Sequence, residues 1–271
     1  MPANKEAPFF AKDAVYLKGW DAYRDDVFGA APPGARWGKV TPRYLGDLHV
    51  PGRMAAAMPD VRLIAILRNP IDRAFSKYRL LRRTGHETRS FVAVVGDQLR
   101  AEHIARTRTA VLPLRDTVVA RGEYARLLDT YLAWFPGEQL QVHYTDELEA
   151  DAGAVVGAIL AHIGVDESWR PERLDRRAYE GGDEARFGTT ATRVNSNRML
   201  RRMWQVLPAD QRRRLSLWFR FEANVRRPSD ETRPEFPAEI RAALVEHYRD
   251  DVGRLPALVG RVPPWPEFLP P

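Results

Sequence analysis

The sequence predicts an α/β domain built on a parallel sheet with crossover helices, and three observations lead there. Val61 to Leu67 is a near-continuous apolar run, the pattern of a strand covered on both faces. Leu140 to Tyr144 alternates and reads as a second strand. A helical stretch follows each, and the order strand, helix, strand, helix favours parallel pairing. With 271 residues the chain can bury a substantial core, and one domain over residues 1–271 is expected.

Pro32-Pro33-Gly34 is a turn. Arg36 to Thr41 reads as a short strand ended by Pro42, and Pro51 to Met58 as a short helix broken by Pro59-Asp60. After the Val61–Leu67 strand, Asn69 suits an N-cap, Pro70 the first helical position and Asp72 the first turn, beside the positive end of the dipole. This helix runs to about Arg83, where Thr84-Gly85 stops it. A helical stretch is expected around Ser90 to Ala105, then an irregular segment to Asp116. Arg121 to Phe135 carries apolar residues at 124, 127, 128, 131, 132 and 135, one helical face ended by Pro136-Gly137. Ala152 to Ile163 is an apolar helix ending at Gly164. Periodicity is poor from Asp166 to Val194, a long surface segment. Met199 to Leu217 and Pro237 to Leu258 are helical again. The proline-rich end from Val262 is extended and packs, if at all, through Trp265 or Phe268.

Composition excludes several classes. A hydrophobic fraction of 44% with 29% charged residues is that of an ordinary globular protein. No apolar stretch approaches the ~18 residues needed to span a bilayer, and no apolar signal region follows Met1, so a cytoplasmic, leaderless chain is expected. With no cysteine there is neither a disulfide nor a thiolate metal site. The histidines at 49, 86, 103, 143, 162 and 247 have no close metal-ligand spacing, so no metal is expected. Arginine supplies 37 of the 42 basic residues and the net charge is +6. The guanidinium fork suits phosphate, sulfate or carboxylate; codon usage in a GC-rich genome gives the same bias. The basic residues are scattered, without aromatic interleaving or a nucleic-acid module, so no nucleic-acid partner is expected.

One constellation carries chemistry. In open α/β sheets ligands sit at the carboxyl ends of strands. Arg68 closes the Val61–Leu67 strand at that edge, and the next helix carries Ser76, about 9 Å along its axis from Pro70. Asp72 and Ser76 are i,i+4 neighbours on one face. A phosphate beside the first two turns could take Arg68 as a fork, Ser76 as a donor and the helix N-terminus as a third partner. The alternative is Arg68 paired with Asp72, and Ser76 as a neutral surface residue.

At this point the sequence resembles the sulfotransferases that use 3′-phosphoadenosine 5′-phosphosulfate (PAPS), in particular the heparan-sulfate-type branch and its bacterial relatives. Lys5-Glu6-Ala7-Pro8-Phe9-Phe10 resembles that branch's K-E-P-H-F-F segment, and Trp20 with Tyr23 the aromatic pair after it. Gly38 to Leu45 is similar to G-E-x-T-P-x-Y-L. Leu63 to Tyr78 is similar to L-I-x-x-L-R-N/D-P-x-x-R-A-x-S-x-Y, the most specific of the set. Arg121-Gly122-Glu123-Tyr124, with Trp134 to Leu140, matches R-G-x-Y…F-P-x-x-Q-L, and Tyr248 to Arg261 resembles the closing helix.

The resemblance implies a P-loop-like three-layer domain with a central parallel sheet flanked by helices. Its implied activity is sulfuryl transfer from PAPS to a hydroxyl or amine of a carbohydrate or small-metabolite acceptor, leaving adenosine 3′,5′-bisphosphate, without a metal. Arg68 and Ser76 match the pair that grips the 3′-phosphate. Gly122 and Tyr124 match a segment near the nucleotide. Arg106 and Arg108, within a variable segment from Gly85 to Asp116, could meet an acidic glycan or only solvent.

Three departures qualify this. The family's glycine-rich phosphosulfate loop and first strand are missing from the sequence, so a late-assigned start or truncated gene is expected, or else a degenerate relative. A sheet lacking that strand would expose unpaired edge groups, each costing about 1–3 kcal/mol if buried. The Glu of G-E-x-T-P is replaced by Lys39. Neutralising an ordinary lysine at pH 7 costs roughly 4 kcal/mol, so Lys39 would bind an oxyanion rather than accept a proton. Glu6, Asp47 and His49 are the conceivable substitutes. Pro8 replaces the histidine of the first segment. The second functional class is therefore an inactive relative that binds adenosine 3′,5′-bisphosphate or an anionic glycan. A P-loop kinase is a distant third reading, since no G-x-x-x-x-G-K-S/T is present.

Overall fold

The computed structural model describes residues 8–171, 174 and 237–269. At its centre, β1 (Leu63–Leu67) and β2 (Leu140–Tyr144) pair in parallel, Leu63 opposite Leu140 and Leu67 opposite Tyr144. Around them in chain order run α1 (Asp13–Tyr16), α2 (Trp20–Phe28), α3 (Val50–Ala57), α4 (Pro70–Arg83), α5 (Phe91–Gln98), α6 (Ala101–Thr109), α7 (Tyr124–Leu132), α8 (Thr145–Ala150), α9 (Ala152–His162) and α10 (Ala238–Val259). The architecture is α/β, a parallel sheet flanked by helices. The expected helix over Met199 to Leu217 lies outside the described residues.

Strand side chains alternate between faces. Leu67, Val142 and Tyr144 point into the main core with Ile71 of α4, Val94 and Val95 of α5, Leu128 of α7, and Leu244, Tyr248 and Leu255 of α10. Trp265 closes this core, 1% exposed and edge-on to Tyr144 at 5.3 Å, so the proline-rich end does pack through its tryptophan. A second cluster joins the N-terminal aromatics to α3 and α7. Phe9 stacks on Tyr23 at 4.4 Å and Phe10 on Trp20 at 5.7 Å, over Val50, Met54, Tyr131 and Phe135.

Four expectations are corrected. β1 is not covered on both faces: Ile64 is 39% and Ile66 48% exposed. Helix α9 lies over β2, where Gln141 Nε2 donates to the Ala158 carbonyl at 3.3 Å, and no described element covers β1 on that side. Residues 35–41 form no strand, because no described strand offers them a ladder. The helix expected over Ser90 to Ala105 is two helices, parted where Arg100 turns extended (φ −63, ψ 137); the Gly85–Asp116 segment is thus largely helical rather than a loop. The helix expected from Arg121 begins only at Tyr124. Glu123 (φ −76, ψ 71) separates it from a 3-10 turn at Ala120–Gly122.

Candidate functional site

The junction between β1 and α4 is set by local chemistry. Asn69 caps α4: its Oδ1 accepts from the Ile71 amide at 3.0 Å and the Asp72 amide at 3.4 Å. Pro70 has no amide hydrogen, and the Arg73 amide donates to the Asn69 carbonyl at 2.9 Å. Every amide of the first turn is therefore occupied. This corrects the expectation that the helix N-terminus itself faces a phosphate, because the side chain that makes Asn69 a good cap also fills the end.

What remains at the junction is the flank of α4. Arg68 Nη2 lies 3.7 Å from Asp72 Oδ2, with both side chains more than a third exposed (39% and 37%). Asp72 and Ser76 share one face, so Arg68, Asp72 and Ser76 form a line along the helix. The pairing weighed as an alternative, Arg68 with Asp72, is present. It is long and wet, a contact worth ~0–1 kcal/mol. The Ser76 hydroxyl has no hydrogen bond among the described residues. It does not take the back-bond to the preceding turn that serines within helices often form.

Gly122 and Tyr124 sit behind this line. Tyr124 is 2% exposed, and its hydroxyl donates to the Arg68 carbonyl at 2.8 Å. Burial pushes that phenol up to about 12, so it stays a donor at any physiological pH. Tyr124 thereby fixes the backbone from which the Arg68 side chain departs. Gly122 backs onto Tyr248: a Cβ there would stand 2.8 Å from that ring's Cζ and hydroxyl oxygen. Tyr248 in turn donates to the Val119 carbonyl at 2.8 Å. The glycine permits close approach of α10 to the 120–122 turn.

Lys39 is half-buried with its Nζ 5.9 Å from the centre of the Tyr23 ring, within cation–π range. Asp47 is 3% exposed, accepts from the His49 amide at 3.2 Å and lies 3.7 Å from Arg43 Nε, so its carboxylate is engaged in structure. His49 is exposed, and Glu6 lies outside the described residues. Arg108 is exposed, and its guanidinium meets Glu123 at 3.2 Å. Glu123 also faces Arg126, and His247 at 3.2 Å. Burial pushes the Glu123 carboxyl up, and its basic partners overturn this and hold it at about 2. No feature of the sequence singled out Glu123; its partners lie up to 124 positions away, so no local pattern marks it. Among the described residues no group of three or more His, Asp or Glu side chains could hold a metal ion. None of the described helices is long and apolar enough to cross a membrane.

A family model described as "Sulfotransferase family" matches residues 6–171. Among curated proteins, the human bifunctional heparan sulfate N-deacetylase/N-sulfotransferase 2 is 28% identical over 170 residues, covering 60% of this chain and 18% of that protein. Human heparan sulfate glucosamine 3-O-sulfotransferase 6 is 28% identical over 162 residues, 60% of this chain and 44% of that one. The chain thus spans less than half the length of these relatives. The crystal structure of a sulfotransferase from Alicyclobacillus acidocaldarius superposes with a TM-score of 0.61 at 25% identity, covering 96% of this chain and 85% of that one. The chain belongs to the sulfotransferase family.

Proposed function

We propose that this member of the sulfotransferase family moves a sulfuryl group from PAPS to a hydroxyl or amine of a carbohydrate or small-metabolite acceptor. The acceptor oxygen or nitrogen attacks sulfur, the bond from sulfur to the 5′-phosphate oxygen breaks, and the acceptor's proton passes to solvent as adenosine 3′,5′-bisphosphate departs. Arg68 and Ser76 hold the 3′-phosphate. The observation that carries this is the Ser76 hydroxyl, without a hydrogen bond among the described residues, in line with a loosely paired guanidinium at the carboxyl end of β1. Arg68 gives up only the weak Asp72 contact when a dianion arrives. Tyr124 acts through Arg68, holding its carbonyl, and Gly122 acts through the packing of Tyr248. Most of the catalysis in such a transfer comes from alignment and from cations at the leaving phosphate.

A second reading has one observation in its favour. Lys39, at the family's glutamate position, rests against the Tyr23 ring; as an ammonium it binds an oxyanion and accepts no proton. On that reading the chain binds the bisphosphate or an anionic glycan without turnover. Titration calorimetry tests what the two readings share: adenosine 3′,5′-bisphosphate binds, and Arg68→Ala weakens it at least about tenfold, some 1.4 kcal/mol. An unchanged Kd removes Arg68 from both. Transfer of radiolabelled sulfate from PAPS then separates an enzyme from a binder.

A further inference from the structure

Beside the Arg68–Ser76 line, α4 presents another face. Arg73 and Lys77 are i,i+4 neighbours, one position on from Asp72 and Ser76 and so about 100° around the same helix. The Ala120–Gly122 turn packs against α4 and brings Arg121 towards them, and Arg43, whose carbonyl Arg121 holds, adjoins Arg121. We infer that Lys77, Arg73, Arg121 and Arg43 form a second oxyanion subsite, built for a tetrahedral phosphate or sulfate ester group.

The arginines have structural duties that explain their positions. Arg73 Nη2 donates to the Val118 carbonyl, and lies 3.5 Å from that of Val119. Arg121 donates to Thr117 Oγ1 at 3.2 Å and to the carbonyls of Arg43 and Gly46 at 3.4 Å each. It lies so close over Gly46 that a Cβ there would be 3.1 Å from its Cζ. Such duties leave the charge uncompensated. The carboxylate within reach is Asp47, 3.7 Å from Arg43. Arg73 Nε is buried without a hydrogen-bond partner among the described residues.

Lys77 has no such duty. It is half-buried, and no described residue gives its ammonium a hydrogen bond or an ion pair. Burial, then the charges of Arg121 and Arg73, pull its pKa down. Burial, then Arg73 and Arg43, pull Arg121 down to about 10. A folded chain that gathers four cations with one carboxylate, beside Arg43 and Arg121 alone, is complementary to an anion from outside. Packing explains the arginines; an anion is what Lys77 lacks.

This inference rests on the proposed site, since the occupant belongs either to the donor's 5′ end or to an anionic acceptor. Calorimetry with Lys77→Met, and Lys77→Arg as the charge-retaining control, distinguishes the sources. If the group is the donor's, Lys77→Met weakens adenosine 3′,5′-bisphosphate about tenfold and leaves adenosine 3′-monophosphate unchanged. If it is the acceptor's, bisphosphate binding is unchanged, and a sulfated heparin disaccharide binds about tenfold more weakly to the protein saturated with bisphosphate. Lys77→Arg restores binding in either case. Arg68→Ala weakens both nucleotides, so an inert Arg68 overturns the 3′-phosphate reading while an effect of Lys77→Met still stands for the subsite. The subsite is overturned if Lys77→Met changes none of the three ligands, or if Lys77→Arg fails as badly as methionine while both variants melt like the parent.

Discussion

Replacing Gly122 by alanine puts a methyl carbon where the Tyr248 ring already stands. The added Cβ would lie 2.8 Å from Cζ and from the hydroxyl oxygen and 2.9 Å from Cε1, all well inside contact distance. Tyr248 is fully buried among the core side chains of α4, α5 and α7, so its ring cannot swing into solvent. Either α10 shifts or the ring leaves its rotamer. Overpacking of this kind costs about 1–3 kcal/mol. The shift also strains the 2.8 Å bond from Tyr248 to the Val119 carbonyl, about 1 kcal/mol more if lost. A total of about 2–4 kcal/mol lowers Tm by roughly 4–8 °C in a chain of this size. Calorimetry or a urea titration of Gly122→Ala reads it directly. Tyr248→Leu makes room for the methyl group, so the double variant should be more stable than the sum of the single effects by about 1 kcal/mol or more. Strict additivity, or a Gly122→Ala protein that melts like the parent yet loses bisphosphate affinity, would refute packing as the reason for the glycine and return it to the nucleotide.

Three further outcomes are expected. Tyr124→Phe removes the donor to the Arg68 carbonyl, costing about 1 kcal/mol of stability in denaturant, and weakens bisphosphate binding through a less fixed Arg68; stability loss with unchanged affinity would break the link between the two. Asp72→Asn removes the carboxylate that competes with a 3′-phosphate for Arg68, so calorimetry should show bisphosphate binding a few-fold tighter; weaker binding would mean that Asp72 orients the guanidinium instead. Glu123, held at about 2 in the fold against an ordinary 4.5, contributes stability that is complete above pH ~4.5 and lost as pH falls towards 2, at most about 3 kcal/mol. Urea titrations between pH 6 and pH 3 should therefore show a shallower loss for Glu123→Gln than for the parent, and parallel curves would exclude the Glu123 network as its source.

What was legible in the sequence was local. Asn69-Pro70 announced the start of α4 because cap chemistry lies within three residues. Leu140 to Tyr144 announced β2 because alternation is a five-residue property, and Gly164 takes the positive φ (69°) that ends α9. The break at Glu123 was illegible because its cause is distant: apolar spacing from 124 to 135 says helix, whereas the residue before it is claimed by Arg108 and His247. The exposure of Ile64 and Ile66 was illegible for a related reason, since composition tells which side chains favour burial but not which neighbour arrives to cover them. The candidate site divides the same way. Arg68 and Ser76 stand out because one short segment, the end of β1 and the first turns of α4, carries both. The partner of Tyr124 lies 56 positions away and Gly46 lies 75 positions from Arg121, so neither could be read from a motif alone.

The plug that Asn69 forms in the mouth of α4 decides what kind of grip this corner can offer. A cradle of main-chain amides is rigid and measures the shape of what it holds; long side chains on a helix flank adapt, and respond mainly to charge. Retention at this corner should therefore fade quickly as sodium chloride is raised, and a doubly charged phosphate monoester should outcompete a singly charged sulfate ester of the same outline.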